Sequence, residues 1–468
     1  MIRLALLWCA VGGLAVYACR DWYRALCGLI LLMAVLEHPD MPRVMFGIQG
    51  LNPWNVLLGV ILLAWAASRR TEGLTWDLPR GVGILLLLYL AVVIIGFARM
   101  MADRALLPAE VNTTAYLVSE YLVNTIKWTL PGVLLFDGCR SRERFVVATA
   151  AVIGMYFLLA LQVIKWMPPT VALDPAGLTA RSSKIISNEI GYHRVNLSSM
   201  LAGASWALLS AREMASGTSR RAMLVFAAIA VVYAQALTAG RAGYAAWVGV
   251  GIVLGLVKWR RYLPVAAALV AILVISVPGV AGRFSQGFSA DTRDVNVRAA
   301  SIAETTTLSY RDDERPDAYT ITAGRTLIWP FVAQEIAAAP YFGYGRQAMI
   351  RTGLAARLWT ELGESFPHPH NAYLEMLLDS GWTGLCVVLA FYAAVGWIAF
   401  SLFRDNRSRA FVAAGGVAAA LLLAFLFSAV GSESFYPREG GVGLWCAIGL
   451  ALRVAVERRR ADAQGVLA

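Results

Sequence analysis

Two histidines lie two residues apart in FPHPHNAYLEMLLDSGWTG, residues 366–384. Pro369 biases His368 away from helix, and His370 then stands at the N-terminus of a helix carrying Leu374, Leu377 and Leu378. A helix N-terminus disfavours an imidazolium, which holds His370 neutral and able to accept a proton. An anion close by would push the other way. The pair could serve as a general base with a neighbour, as a capping group, or as two ligands of a metal. For a metal the donors are few: Glu361 and Glu364 are the near carboxylates, and no Asp-x-Asp lies nearby. Metal-free chemistry is favoured, with His370 as the base and His368 as a supporting or substrate-contacting group.

Four arginines call for their own explanation. Arg241 sits in LTAGRAGY, residues 237–244, a short turn between apolar runs where Gly240, Ala242 and Gly243 leave its guanidinium open. Snorkelling to lipid headgroups would explain an interfacial arginine. Small neighbours, however, suit close approach by a bulky anion, and a guanidinium matches phosphate oxygens bidentately. Arg194 follows His193 at the head of another apolar run. It could be an interfacial anchor, an anion contact, or the partner of Glu189. Arg325 opens the helical pattern TLIWPFVAQEI, and Arg346 ends YFGYGR, whose glycines free backbone N–H groups for an anion.

The elements that must position these groups are apolar. The chain has 468 residues, of which 59% are hydrophobic and 15% charged. Apolar runs recur at about 2–18, 25–36, 54–68, 82–98, 118–137, 145–165, 195–211, 222–238, 243–257, 263–280, 381–403, 410–430 and 441–456. An all-α polytopic membrane protein of about twelve transmembrane helices is expected, because the run at 25–36 is short for a bilayer core. Barrel strands are excluded by the length of the runs.

The net charge of +11 is not a nucleic-acid footprint. Its arginines and lysines gather between the runs, around 69–80, 140–144, 212–221, 258–261, 404–409 and 458–460, as cytoplasmic loops do. A cytoplasmic C-terminus follows. The opposite connections are 37–53, 99–117, 166–194, 238–242, 281–380 and 431–440, and they hold all four histidines, His38, His193, His368 and His370. The stretch 281–380 is the one long enough for an extramembrane subdomain, with helical patterns around 324–338 and 347–361. It divides the chain into an N-terminal membrane bundle (1–280), this loop subdomain (281–380) and C-terminal helices with a tail (381–468). The six cysteines lack CxxC spacing, so neither a disulfide framework nor a zinc site is indicated. The first run is expected to stay as an uncleaved span, since Arg20 and further spans follow it.

EIGYHRVN (189–196), LTAGRAGY, AGRTLIWPFVAQEIAAAPYFGYGRQ (323–347) and HPHNAYLEMLLDSGWTG (368–384), in that order and on one face, resemble the O-antigen ligase and polymerase superfamily of bacterial envelope glycosyltransferases. The motifs that carry the resemblance are a Thr-x-x-Arg-small-Gly turn, a Gly-Arg-x-x-x-Trp helix followed by Pro-x-x-Gly-x-Gly, and a His-Asn-x-x-Leu helix start. They cover roughly 185–400.

The resemblance implies a GT-C-like architecture with a long periplasmic loop, in the inner membrane of a Gram-negative bacterium. It implies an undecaprenyl diphosphate-linked O-antigen donor, a lipid A–core acceptor, and inverting transfer without metal or cofactor. His370 would be the base. Arg241 and Arg325 would stabilise the departing diphosphate, with Arg194, Arg346, His193, His368 and Asn371 binding substrate. The short tail after the histidine motif favours a ligase; a polymerase and a protein O-oligosaccharyltransferase stay open. A flippase or transporter is the rival of another class, but the spans are nearly free of mid-membrane charge.

Overall fold

The computed structural model describes residues 2–48, 50–276, 278–285, 325–363, 366–431 and 434–464. Among the described residues the chain is helical, and its one β-bridge is the isolated pair Met45 and Ile48. The N-terminal half supplies α1 (Ile2–Ala18), α2 (Trp22–Leu32), α3 (Pro53–Thr71), α4 (Arg80–Ala102), α5 (Leu130–Gly138), α6 (Arg142–Trp166), α7 (Arg194–Ala211) and α8 (Thr218–Leu237). Then come α9 (Arg241–Leu254), α10 (Leu263–Ser276), α11 (Pro278–Ser285), α12 (Arg325–Ala338), α13 (Ala372–Arg404), α14 (Arg409–Ser428) and α15 (Val442–Ala463).

Among these, seven are long and apolar enough to cross a membrane by length and composition: α4, α6, α8, α9, α13, α14 and α15, with α9 and α15 extended by flanking turns. The figure is lower than the twelve expected, and the reasons are local. α1 and α10 are short, at 17 and 14 residues. The run at 118–137 is not one helix. It passes through a wide turn at Val118–Val123, stops at Lys127, and restarts at Leu130 beside Pro131, which has no N–H to continue the ladder. Gly132 then lets α5 press on α15: a Cβ there would lie 2.2 Å from the Trp445 carbonyl oxygen.

α7 is too polar to read as a span, yet it stands at the centre, packed on α6, α8, α9 and α14. Small residues make that possible. A Cβ on Gly203 would lie 2.9 Å from Ala424 Cβ, and Ser198, Ser199, Ser205 and Ser210 are buried with each hydroxyl donating to a carbonyl. Burial separates inner from outer helices: 83% of the apolar window of α15 is enclosed, against 28% for α4.

The loop region is tied into the bundle through a break in α13. Gly381 takes φ 63° and ψ −167°, interrupting the helix. Into that break fits the segment after α12: Tyr344 N–H donates to Leu378 O (2.9 Å), Gly345 N–H to Asp379 O (2.6 Å), and Trp382 N–H to Pro340 O (2.8 Å). A Cβ on Gly381 would strike the Tyr341 carbonyl carbon at 2.3 Å, so the break and the docking depend on this glycine. The docking holds α12 across the start of α13. The helical patterns expected at 324–338 and 347–361 are occupied by α12 and by Ala348–Arg351 with Leu354–Leu362. The polar opening of the loop lies outside the described residues.

Candidate functional site

The histidine turn precedes α13 directly. Asn371 is its N-cap, with Oδ1 accepting from Tyr373 N–H (3.0 Å) and Leu374 N–H (3.2 Å). Such a cap stabilises a helix start by about 1 kcal/mol. Asn371, expected to bind substrate, thus has its side-chain oxygen engaged by the helix. Just before it, His370 adopts φ +50°, a left-handed conformation uncommon outside glycine. That conformation turns its ring back toward His368, with ring centroids 4.1 Å apart. Trp329 of α12 donates Nε1–H to Pro369 O (3.2 Å), and Ala372 N–H donates to Ala429 O (2.8 Å). The strained turn is therefore held from both sides, as an overdetermined site conformation must be.

The arginines converge on it. Gly240 and Gly243 bring the first turn of α9 against α7, since a Cβ at either would collide with Ser198. Ser198 Oγ donates to Gly240 O (3.1 Å) and fixes the approach. Arg241 is the first residue of α9, and Arg194 the first of α7. Arg325, the first residue of α12, brings Nη1 within 3.5 Å of where a Gly431 Cβ would lie, and Ala242 is beside the same point at 3.3 Å. Arg194 Nη1 donates to Ser182 Oγ (3.5 Å), and among the described residues it makes no ion pair with Glu189.

Electrostatics record the crowding. Burial and then His368, Arg325 and His193 push the His370 imidazole down to about 3. Burial, Arg194, Arg325 and His368 lower His193 in the same sense. His368 is also lowered, chiefly by burial, but the Glu375 carboxylate opposes that shift. Burial lowers Arg325. Such a concentration of like charge in a half-buried cleft is costly unless an anion joins it.

One expected member stands elsewhere. Arg346 is enclosed, 6% exposed, with its guanidinium 4.1 Å from the Tyr436 ring centroid and donating to Thr125 Oγ1 (2.8 Å) and to Tyr121 O. Its amide also donates to Gly96 O (3.0 Å), so it joins the loop to α4 rather than presenting a free guanidinium beside the histidines. His38, the fourth histidine of that face, lies against Arg3, with Nε2 3.2 Å from Arg3 Nη1.

Sequence reasoning missed other participants. Arg283, at the end of α11, donates Nε–H to Ala239 O (3.4 Å), and burial with Arg194 and Arg241 pushes it down to about 9. Glu375, Ser434 and Arg438 line the histidine cleft, with Ser434 Oγ donating to Glu375 Oε2 at 2.6 Å. The available signal was polarity on the histidine face: Arg283 ends an apolar run there, and Arg438 lies in the short connection 431–440. Among the described residues no group of three or more His, Cys, Asp or Glu side chains gathers as metal ligands would; Glu364 lies outside them.

No curated protein matches the chain. Residues 222–389 match the family model described as O-antigen ligase. The match holds Arg241, Arg283, Arg325, His368 and His370, while His193 and Arg194 precede it. Residues 222–389 are thus similar to the O-antigen ligase domain, which supports the resemblance to the O-antigen ligase and polymerase superfamily read from the motifs.

Proposed function

We propose that the chain is a glycosyltransferase that moves O-antigen glycan from undecaprenyl diphosphate to lipid A–core at the periplasmic face of the inner membrane. One observation carries this reading: Arg194, Arg241, Arg283 and Arg325, from four different helices, meet His193, His368 and His370 at one end of the bundle. A diphosphate is the complement of such a cluster, and a lipid-linked one reaches it from the bilayer. His370 takes the proton from the acceptor hydroxyl. That oxygen forms the new bond to the donor's anomeric carbon, on the face opposite the diphosphate, with inversion. The bond from anomeric carbon to diphosphate oxygen breaks, its electron pair leaves on undecaprenyl diphosphate, and the arginines stabilise that charge. The step balances without metal, cofactor or ATP.

A polymerase of the same superfamily would use the same donor and differ in its acceptor, as would a protein O-oligosaccharyltransferase. A flippase would need charged or broken-helix elements near the midplane, whereas this cluster lies at helix ends. The deciding experiment supplies purified protein with lipid-linked glycan, with and without lipid A–core. Glycan joined to lipid A–core supports the ligase. Lengthening of the lipid-linked glycan without it assigns a polymerase. Translocation with neither product overturns the enzyme reading.

A further inference from the structure

The end of the bundle opposite the histidines holds a second cationic site. α14 is 20 residues long, so Arg409 at its head lies roughly 30 Å along the helix from the Ser428 end, which reaches the histidine turn. Beside Arg409 a cavity of about 510 Å³ opens between α6, α14 and α15. Its lining carries Arg140, Arg142, Arg407, Arg409 and Arg453, with Glu457 as its acidic side chain. Three of the five are neutralised. Arg140 and Arg453 share Asp77 (3.0 and 2.5 Å), and Arg407 pairs with Asp405 and Asp462, both at 2.7 Å.

Arg142 and Arg409 are different. Neither has a hydrogen-bond or ion-pair partner among the described residues. Each is also the first residue of its helix, following the caps Ser141 and Ser408. A cation at a helix N-terminus opposes the positive end of the dipole. Two such cations facing one cavity leave an excess of positive potential that an anion would resolve. Phe145, Phe411 and Val454 add buried apolar surface to the same lining. Cationic and apolar side chains in one lining, at the end of membrane-crossing helices, match a phosphate group attached to a hydrocarbon body.

We infer that this cavity binds a phosphate-bearing anion, and that the apolar part of its lining makes the occupant the headgroup of an anionic membrane lipid rather than free phosphate. Arg142 and Arg409 are its primary contacts, through charge-assisted hydrogen bonds. The inference is independent of the glycosyltransferase reading, because it concerns the other end of the helices.

The test compares full-length protein in nanodiscs of phosphatidylcholine with and without phosphatidylglycerol, reading retained lipid by native mass spectrometry and thermal stability beside it. The variant is Arg142→Gln/Arg409→Gln, whose two side chains are exposed and unpaired, so folding should persist. The control is Arg220→Gln/Arg221→Gln, which removes two exposed arginines from the first turn of α8, away from the cavity lining. Wild type and the control should retain phosphatidylglycerol and be stabilised by it. The cavity variant should lose about tenfold or more in retention, with the stabilisation gone. Equal losses in both variants would mean diffuse surface attraction and overturn the site. Stabilisation of wild type by millimolar inorganic phosphate, with no lipid retained, would overturn the lipid assignment and leave a soluble phosphate as occupant.

Discussion

The rings of His368 and His370 lie 4.1 Å apart and are inclined by 66°, and Arg325 acts on both, yet only His368 has a carboxylate opposing the loss of its basicity. His368 has the Glu375 carboxylate working against the loss of its basicity, while His370 meets His368, Arg325 and His193. An anion arriving among the arginines would raise the basicity of His370, which has no carboxylate beside it to do so. In the proposed reaction the donor itself would therefore ready the base, and an empty site would hold a weak one.

Replacing His370 by Asn tests the imidazole while sparing the backbone, because Asn tolerates the left-handed conformation found at this position. Donor binding should persist in His370→Asn and turnover should fall by about 10²–10⁴-fold, as loss of a general base typically costs. His368→Ala should be milder. An active His370→Asn beside a dead His368→Ala, both folded in the membrane, would transfer the role of base to His368.

The pH dependence follows from the depressed His370 value. A histidine pushed down to about 3 is neutral across the physiological range, so the free enzyme should show no acid limb near the ordinary histidine value of about 6.5. The bound diphosphate raises the imidazole, so the acid limb of kcat should lie at higher pH than that of kcat/KM. Stability carries the same sign. The unfolded chain takes up the proton below about 6.5 and the folded chain resists it, so stability is full above that pH and declines as pH falls toward the folded value. His370→Asn should soften this decline in acid unfolding curves. Coincident limbs near 6.5 in both rate profiles would refute the assignment.

The arginines should fail differently from the base. Arg241→Lys keeps the charge and loses the bidentate fork, so both donor binding and turnover should weaken, by about 10- to 100-fold for a lost charged hydrogen bond. Arg325→Ala should do the same, as its guanidinium lies beside Ala242 and Gly431. Isothermal binding of the lipid diphosphate, measured beside turnover, separates the classes. Normal donor binding in both variants would remove them from the proposed clamp.

Chelation should leave transfer intact, since the proposed step needs no divalent cation. Activity lost in EDTA and restored by one divalent metal would make the His368–His370 pair a ligand set instead.

Much of this arrangement was legible in the sequence because it rests on local signals. Helices occupy most of the long apolar runs, and the Gly-Arg turn, the Arg325 helix and the His-Pro-His-Asn start all lie where their motifs put them. What escaped was set by tertiary packing. α7 is central although its serines make it polar, because they satisfy their hydroxyls on carbonyls within reach. The break in α13 depends on a segment more than thirty residues earlier docking on Gly381. Arg346 looked like an anion site among glycines, but those glycines serve that docking, and Tyr121, Thr125 and Tyr436 enclose the guanidinium. Arg283 and Arg438 joined the cluster because chain ends met in space, which no single motif announces.

The approach of α9 to α7 is the most direct structural lever on the site. A Cβ on Gly243 would lie 2.1 Å from Ser198 Oγ and 2.6 Å from the Ser198 carbonyl carbon, so the contact involves backbone and a rotamer change would not relieve it. Gly243→Ala should push the first turn of α9 away from α7 and carry Arg241 with it. Overpacking of this kind costs about 1–3 kcal/mol, so thermal stability should drop along with donor binding and turnover. Gly59→Ala is the matched control, since a Cβ there meets nothing within 4 Å and lies in α3, far along the chain from the cluster. It should behave as wild type or gain slightly in stability from better helix propensity. A Gly243→Ala protein indistinguishable from Gly59→Ala in stability and in donor binding would show that the close helix approach does not position Arg241.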